Sequence, residues 1–182
     1  MNKTEKEKML SGDFYFANDP ELVIERKKAK TLCHRYNQQV QDLDEQTLAQ
    51  ILGYASDAYI EPPFYCDYGY NIRFGKKVYA NHNLVILDGA QVTIGNHVFI
   101  GPNVVISTAG HPTDVSIRNS ELEFAKPIQI EDNVWIGANV VILPGIQIGA
   151  NVTIGASSIV TKSIESDCVA VGNPCRVIRR LN

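Results

Sequence analysis

The chain has 182 residues, enough for one domain with a hydrophobic core and a smaller appended element. Its 17 basic and 20 acidic residues leave a formal charge of -3, so we expect neither nucleic acid nor an anionic membrane as partner. No stretch approaches the roughly 20 apolar residues of a membrane span, and the first residues lack an apolar signal core. These features predict a soluble, cytoplasmic protein that acts on a small molecule or a protein.

Four cysteines are scattered along the chain, with no CxxC pair and no histidine beside them at metal-ligand spacing. We therefore expect reduced, structural thiols. The four are Cys33, Cys66, Cys168 and Cys175.

The segment Pro20–Asn37 predicts an amphipathic helix, because its apolar residues recur at helical spacing among charged ones. Asp19 is a suitable N-cap, since its carboxylate can accept from the free amides of the first turn. A second helix is predicted over Glu45–Tyr54, with its end near Gly53. The apolar positions of the two helices are Leu22, Ile24, Ala29, Leu32 and Cys33, then Leu48, Ile51 and Leu52.

Beyond Pro62 and Pro63 the apolar pattern changes to a period of six residues. A second apolar residue stands two positions before most of the periodic ones, as expected of a strand with one buried face. β-Branched residues at this spacing, interrupted by Gly, Asn and Pro, predict short parallel strands stacked coil on coil in a β-solenoid. The periodic positions are Phe74, Ala80 and Ile86; Ile94, Ile100 and Ile106; and Ile130, Ile136, Ile142, Ile148, Ile154 and Val160.

One polar segment, residues 107–127, breaks the repeat, and long excursions from a rigid scaffold usually carry function. It contains His111, and an imidazole can take a proton from a hydroxyl at neutral pH. From its position alone, His111 is either a general base or a turn residue before Pro112. Glu123, at the far end of the segment, either orients the imidazole or is a solvated carboxylate.

Several longer motifs accompany the six-residue repeats, which we call hexads. The interrupting segment contains GHP, and NVWIGANVVILPGIQIGANVTIGASSIVTKS and AVGNPCRVIRR follow it. The N-terminal part carries EKEKMLSGDFYFANDPEL and HRYN, then EPPFYCDYGYNIRFG and YANHN. In this combination, over essentially the whole chain, the sequence resembles the maltose and galactoside O-acetyltransferase group of the hexapeptide-repeat acyltransferases.

The resemblance implies a mainly β fold, a left-handed parallel β-helix of hexapeptide repeats with a small N-terminal helical segment. The helical segment would cover residues 1–60, and the β-helix acyltransferase domain residues 61–182, with the loop 107–127 and a C-terminal tail. The resemblance also implies a homotrimer with three active sites at subunit interfaces. Acetyl-CoA would be the donor, and no metal would be required.

In that family the histidine of the GHP loop, here His111, is the general base. The asparagine matching Asn81 lies beside the reacting centre, where its amide binds the acceptor or the oxyanion. The alternative for Asn81 is a corner residue in a left-handed turn. The chain has no GxSxG motif, which favours direct transfer in a ternary complex over a covalent intermediate.

The acceptor pocket implied by the resemblance includes Asp67 in CDYGYN, Asp88 in LDG, and an aspartate near the start of the first helix. Some family members carry that last aspartate two residues earlier, where this sequence has Ala17. Asp19 therefore either binds the acceptor or only caps the helix. Tyr79 either packs against a sugar ring or lines the coil.

CoA in this family lies along the groove between adjacent β-helices, and lysine and arginine side chains suit its phosphates. Arg179 is alternatively part of an exposed basic tail, and Trp135 alternatively a packing residue. The matching positions are Trp135, Ala138, Ala156, Thr161, Lys162, Arg176 and Arg179.

We therefore expect an acetyl-CoA-dependent O-acetyltransferase that modifies a sugar hydroxyl of the maltose, glucose or galactoside type. One alternative is a hexapeptide acyltransferase with a non-sugar acceptor, such as an antibiotic or serine. Another is a solenoid that only binds, although a scaffold does not need a histidine in an interrupted repeat. A β-solenoid carbonic anhydrase is disfavoured, because the loop contains a single histidine.

Overall fold

The computed structural model describes residues 3–38 and 44–181, which form four helices and nineteen strands. The helices are α1 (Glu5–Ser11), α2 (Pro20–Asn37), α3 (Glu45–Leu52) and α4 (Val115–Asn119). The strands are β1 (Tyr15–Phe16), β2 (Tyr59–Ile60), β3 (Phe64–Cys66), β4 (Ile72–Phe74), β5 (Tyr79–Ala80), β6 (Leu84–Leu87), β7 (Val92–Ile94), β8 (Phe99–Ile100), β9 (Val105–Ser107), β10 (Ala109–Gly110), β11 (Leu122–Ala125), β12 (Ile128–Ile130), β13 (Trp135–Ile136), β14 (Val141–Ile142), β15 (Gln147–Ile148), β16 (Thr153–Ile154), β17 (Ile159–Val160), β18 (Cys168–Val171) and β19 (Arg176–Arg180).

The two predicted helices are present. The Asp19 side chain accepts a 3.0 Å hydrogen bond from the Glu21 amide and so caps α2. α3 ends at Leu52, two residues earlier than predicted, because Gly53 takes a left-handed conformation with φ of 78°. Ile24, one of the apolar positions of the predicted amphipathic helix, does not lie on its buried face, because its side chain is 67% exposed. The buried residues of α2 are Leu22, Ala29, Cys33 and Tyr36.

Helix α1 was not predicted. It begins with a capping box, in which the Thr4 hydroxyl accepts from the Glu7 amide at 3.1 Å and the Glu7 carboxylate accepts from the Thr4 amide at 2.7 Å. Only Met9 of this helix is buried, so α1 has no apolar stripe that a periodicity could reveal.

The solenoid strands form three parallel sheets that the chain visits in turn, so each coil is triangular in section. The first face contains β2, β5, β8, β13, β16 and β18; the second contains β3, β6, β9, β14 and β17; the third contains β4, β7, β12 and β15. β19 extends the first face as an antiparallel edge strand. The predicted fold, a left-handed parallel β-helix with a helical N-terminal segment, is confirmed.

The hexad residues lie directly above one another, and each is buried. Because every coil offers one such side chain per face, the interior is a set of three continuous apolar columns. The columns are Phe74, Ile94, Ile130 and Ile148 on the third face, Ala80, Ile100, Ile136 and Ile154 on the first, and Ile86, Ile106, Ile142 and Val160 on the second.

The corner between the second and third faces departs from the hexad in three successive coils. The turns 67–71 and 88–91 each add two residues to the six-residue spacing, and residues 108–127 leave the third coil here. The excursion begins one residue later than predicted, because Ser107 still pairs with Leu87 in the solenoid. Ile94 nevertheless pairs with Ile130 as a direct neighbour. We call these three segments together the loop corner.

Helices α2 and α3 close the first coil, and their buried apolar residues other than Leu22 join the hydrophobic cluster of the solenoid. The Tyr36 hydroxyl donates to the Ile60 carbonyl at 2.6 Å, which fixes α2 over β2. All four cysteines are buried and free. Among the described residues, no helix has the length and apolar character to cross a membrane. The domain division near residue 60 and the cytoplasmic location stay predictions.

Candidate active site

The excursion of residues 108–127 folds back as an antiparallel hairpin. β10 pairs with β11, with Ala109 opposite Ala125, and α4 lies between the two strands in sequence. β1, from the N-terminal segment, adds to the other edge of β11, with Tyr15 opposite Glu123. The loop is therefore held by a strand from the far end of the sequence.

A buried threonine ties the hairpin to the coil before it. The Thr108 hydroxyl donates to the Leu87 carbonyl at 2.7 Å and accepts from the Ala90 amide at 3.0 Å. Because Thr108 is fully buried, these bonds fix where the hairpin leaves the solenoid.

The hairpin brings His111 and Glu123 together. The distance between His111 Nε2 and Glu123 Oε1 is 3.9 Å, which is an ion-pair separation and longer than a hydrogen bond. The His111 side chain is 58% exposed and that of Glu123 26%, so the imidazole is open to solvent with the carboxylate beside it. Catalytic hydrogen bonds are often long in unliganded enzymes and shorten when substrate binds. The arrangement can therefore serve as a base and its orienter.

Tyr15, which the sequence analysis missed, lies against Glu123. Its hydroxyl donates to Glu123 Oε2 at 3.2 Å, and the side chain is 2% exposed. Burial, followed by the charge of Glu123, raises the pKa of Tyr15 well above its ordinary value. The hydroxyl therefore keeps its proton and acts as a donor.

Asp67 lies half-buried in the turn after β3, at the loop corner. Burial raises the pKa of Asp67, while nearby cations, Arg26 foremost, lower it and Glu123 raises it further. Arg26 is itself held by the Tyr68 hydroxyl at 2.7 Å and the Ala17 carbonyl at 2.5 Å. A partly exposed carboxylate beside a fixed guanidinium is able to accept hydrogen bonds from sugar hydroxyls.

Asp88 has a different environment from the one that the resemblance implies. Its side chain is fully buried, and burial raises the pKa of Asp88 to about 6 although backbone hydrogen bonds act to lower it. Both oxygens are occupied, so the arrangement fits a structural role and not a direct contact with the acceptor. The backbone amides that bind this carboxylate belong to Asp67, Tyr68, Gly69 and Asn71.

Asp19 caps α2 through its side chain, which is one of the two roles predicted for this residue. A contact between Asp19 and the acceptor stays a prediction. The backbone carbonyl of Ala17, two residues earlier, accepts from Arg26.

A groove of about 800 Å³ runs along the first face, with Trp135 and Phe99 both more than half exposed in its wall. Phe99 was missed, although it precedes a hexad isoleucine as Trp135 does, and this spacing is a signal that could have identified it. The predicted residues in the groove are Tyr79, Asn81, Trp135, Ala138 and Ala156. Further lining residues include Gly101, Pro102 and Thr153.

One side of the groove is nearly bare backbone. A Cβ on Gly137 would lie 2.6 Å from the Ala156 amide nitrogen, and one on Gly101 would lie 2.7 Å from that of Ala138. Only glycine allows successive coils to approach this closely here. Backbone groups in such an edge are accessible to an extended ligand.

Arg179 lies on the same outer side of the first face as Trp135. It pairs with Val169, which follows Thr153 and Trp135 in register across the sheet. Three strand spacings separate Arg179 from Trp135, roughly 14 Å. Arg176 begins the same edge strand, and all five residues of that strand are exposed.

The remaining residues predicted to bind CoA lie at another corner of the triangular solenoid. Thr161 and Lys162 follow β17 and so belong, like His111, to the corner between the second and third faces. Asn81 follows β5, at the corner between the first and second faces. Within one chain the second face lies between Asn81 and His111, and His111 does not line the groove.

Comparison with known proteins agrees with the fold and the motifs. Residues 8–55 match the maltose acetyltransferase hexapeptide capping motif, and residues 127–162 match the six-repeat bacterial transferase hexapeptide. Residues 91–110 match the hexapeptide repeat of succinyl-transferase.

A putative acetyltransferase of Saccharomyces cerevisiae is 52% identical in an alignment of 181 positions that covers 96% of this chain and 92% of that protein. A maltose O-acetyltransferase from Clostridium difficile 630 has a TM-score of 0.96 at 48% identity, covering 99% of this chain and 98% of the other. A galactoside acetyltransferase solved in complex with coenzyme A has a TM-score of 0.92 at 42% identity, covering 100% of this chain and 92% of the other. The chain therefore belongs to the maltose and galactoside O-acetyltransferase group of the hexapeptide-repeat acyltransferases.

Proposed function

We propose that this enzyme transfers the acetyl group of acetyl-CoA directly to a hydroxyl of a maltose-, glucose- or galactoside-type sugar, with His111 as the general base. The observation that carries the proposal is the hairpin at the loop corner, which presents an exposed imidazole 3.9 Å from the Glu123 carboxylate. The names of the related maltose and galactoside acetyltransferases support a sugar as acceptor.

A sugar hydroxyl attacks a thioester poorly until its proton is removed, and His111 takes that proton as the new C–O bond forms. The resulting tetrahedral oxyanion collapses by breaking the C–S bond, and the imidazolium returns the proton to the CoA thiolate. Glu123 stabilises the imidazolium between these steps. The Asn81 amide donates to the oxyanion or to the acceptor.

This mechanism requires Asn81 and His111 at one reacting centre, although the second face separates them within a chain. A neighbouring copy whose groove faces the loop corner would supply Asn81 to the His111 of the first. The proposed CoA residues are divided in the same way, with Trp135 in the groove and Lys162 at the loop-corner edge. This division supports sites between neighbouring copies, three in a homotrimer.

The outward residues of the three faces support the same assembly. The outward column of the first face is largely aromatic, that of the second largely aliphatic, and that of the third polar. Apolar first and second faces suit a ring in which the first face of one copy meets the second face of the next. The columns are Tyr59, Tyr79, Phe99, Trp135, Thr153 and Val169; Tyr65, Val85, Val105, Val141 and Ile159; and Arg73, Thr93, Gln129 and Gln147.

Acetyl-CoA is the proposed donor, and the related galactoside acetyltransferase in complex with coenzyme A supports it. We assign the apolar groove beside Phe99 and Trp135 to the acyl-carrying arm of the coenzyme. Its phosphates would meet Arg176 and Arg179 from the groove side and Lys162 from the next copy.

A thiol-release assay tests the proposal. Purified protein is given acetyl-CoA with maltose, glucose, a galactoside, serine, chloramphenicol or no acceptor, and we expect release with the sugars alone. His111→Ala should lower kcat by about 10²- to 10⁴-fold while CoA still binds in calorimetry. The control His97→Asn removes an imidazole at a corner with φ of 55°, which asparagine tolerates, and should keep the wild-type rate.

Each other outcome has a direct meaning. Unchanged turnover in His111→Ala would show that the base is another residue. Release with serine or chloramphenicol but not with sugars would replace the sugar acceptor, and no release with any acceptor despite bound CoA would remove all members of the panel as acceptors.

A further inference from the structure

We propose that Tyr15 is a positioning residue for the acetyl transfer, because its buried hydroxyl holds Glu123 in the orientation that faces His111. This inference rests on the proposed role of His111 as base. Tyr15 belongs to the N-terminal segment, far from the loop in sequence, and the pairing of β1 with β11 brings it there.

The two oxygens of Glu123 are divided between two partners. Oε2 accepts from the Tyr15 hydroxyl at 3.2 Å, while Oε1 lies 3.9 Å from His111 Nε2. Because Tyr15 and Glu123 are also directly opposite each other in the β1–β11 pair, the backbone sets their spacing. The carboxylate cannot turn toward solvent without breaking the bond from Tyr15.

Tyr15 itself is firmly held. Its ring is buried in a cluster with Met9, Leu22, Tyr68, Ala90 and Ala125, which joins α1, α2 and both turns of the solenoid below the loop. The amide of Phe16, the next residue, donates to the Glu5 carboxylate at 2.7 Å and anchors β1 to α1. The position of the hydroxyl is therefore defined by the whole N-terminal segment.

Packing alone does not require the hydroxyl, since phenylalanine would fill nearly the same space in an apolar cluster. A buried phenol needs a hydrogen-bond partner, and here that partner is Glu123. Glu123 is partly exposed, so its carboxylate has solvent as an alternative. The hydrogen bond from Tyr15 therefore sets the direction in which the Glu123 carboxylate points.

The consequence for chemistry concerns the two nitrogens of the His111 ring. The negative charge of a carboxylate 3.9 Å from Nε2 favours the tautomer that carries its proton on that nitrogen and leaves Nδ1 free to take the acceptor's proton. When Glu123 is free to turn away, both tautomers of the neutral ring are populated, and only one of them presents a base to the acceptor. Tyr15 therefore acts on catalysis through Glu123 and touches no reactant.

The first test does not depend on turnover. The ¹⁵N chemical shifts of the His111 ring, measured in mildly alkaline solution, report which nitrogen carries the proton, and His111→Gln assigns the signals. We expect one predominant tautomer in the wild type, a mixture in Tyr15→Phe, and loss of the preference in Glu123→Gln. The control Tyr36→Phe, which removes another buried tyrosine hydroxyl with a single acceptor, should leave the signals unchanged.

Kinetics provide the second test. Tyr15→Phe should lower kcat about 10-fold, with the KM for acetyl-CoA unchanged. In the double variant with Glu123→Gln, kcat should be no lower than in Glu123→Gln alone, because Tyr15 has nothing left to position. Wild-type tautomer and kcat in Tyr15→Phe, or losses that multiply in the double variant, would overturn the proposal. If the wild type acetylates no sugar, the ring signals still decide the role of Tyr15.

Discussion

The carboxylate of Asp88 accepts a 2.7 Å hydrogen bond from the backbone amide of Gly69, one coil earlier in the solenoid. Three more amides of the same turn bind the two oxygens of this side chain, which is fully buried. Asp88 thereby shapes the turn that carries Asp67, the candidate acceptor ligand.

Asp88→Asn should be strongly destabilising. The asparagine side chain has one acceptor oxygen, so its NH₂ group would face backbone N–H groups that then have no partner. We expect the free energy of unfolding to fall by about 2–4 kcal/mol, measured by denaturant unfolding at a fixed protein concentration. Asp67→Asn, at a partly exposed position, is the control and should cost far less. Equal stability of Asp88→Asn and wild type would contradict the structural role of this carboxylate.

The contact between α1 and α2 should depend on pH. Burial acts to raise the pKa of Glu25, but hydrogen bonds from Lys6 at 2.5 Å and the Tyr70 hydroxyl at 2.6 Å outweigh it, and the net pKa is below its usual value. The stabilisation is therefore present above the unfolded pKa, roughly 4.3, and is lost as pH falls through the folded value.

Glu25→Gln should accordingly be less stable than wild type by about 0.5–1 kcal/mol near neutral pH. The difference should shrink as the pH is lowered below 4, in unfolding curves recorded as a pH series. Glu21→Gln is the matched control, because its carboxylate lies 3.5 Å from Lys6 and is 54% exposed. A difference that grows at low pH would show that the pair does not stabilise the ionised form.

Asn103 separates two contributions of a solenoid corner. It adopts φ of 59°, accepts from Asn83 at 2.9 Å and donates to Asn139 at 3.1 Å. Asn103→Gly removes the amide contacts but tolerates the left-handed conformation, whereas Asn103→Ala loses both. We expect Asn103→Ala to be less stable than Asn103→Gly by about 1–2 kcal/mol. Thermal unfolding of both variants measures this, and equal stability would mean that the left-handed conformation costs alanine nothing here.

Mixing two variants that we expect to be inactive tests the proposed site between neighbouring copies of a homotrimer. His111→Ala and Asn81→Ala each remove one half of the proposed centre, and a mixed trimer contains one interface with both intact halves. Random reassembly of equal amounts should restore about a quarter of the wild-type rate. Each variant refolded alone is the control. A site complete within one chain would give no recovery in the mixture.

The solenoid was predictable because its interior is repetitive. A residue such as Ile100 packs between the equivalent residues of the coils above and below, Ala80 and Ile136. An apolar side chain is therefore required at every sixth position. The groove follows from the same period, since Trp135 immediately precedes a hexad position. His111 was identifiable because the repeat stops around it.

Other parts of the site leave no periodic trace. β1 has two residues and pairs through backbone groups, so the contact between Tyr15 and Glu123 depends on tertiary structure. Asp67 and Asp88 are both aspartates in turns and look alike in the sequence, but Asp67 is half-buried and Asp88 is fully buried. Only the three-dimensional neighbours distinguish a ligand from a structural carboxylate.

The direct pairing of Ile94 with Ile130 has a consequence for how this scaffold changes over evolutionary time. The coils on either side of the excursion stack as they would with an ordinary turn at this corner, so the length of the exposed part of residues 108–127 is uncoupled from the solenoid that carries it. Insertions, deletions and substitutions in α4, which has no buried residue, need not alter the hydrophobic columns. The hairpin can thus change in length at its exposed end while its buried ends and the solenoid stay the same.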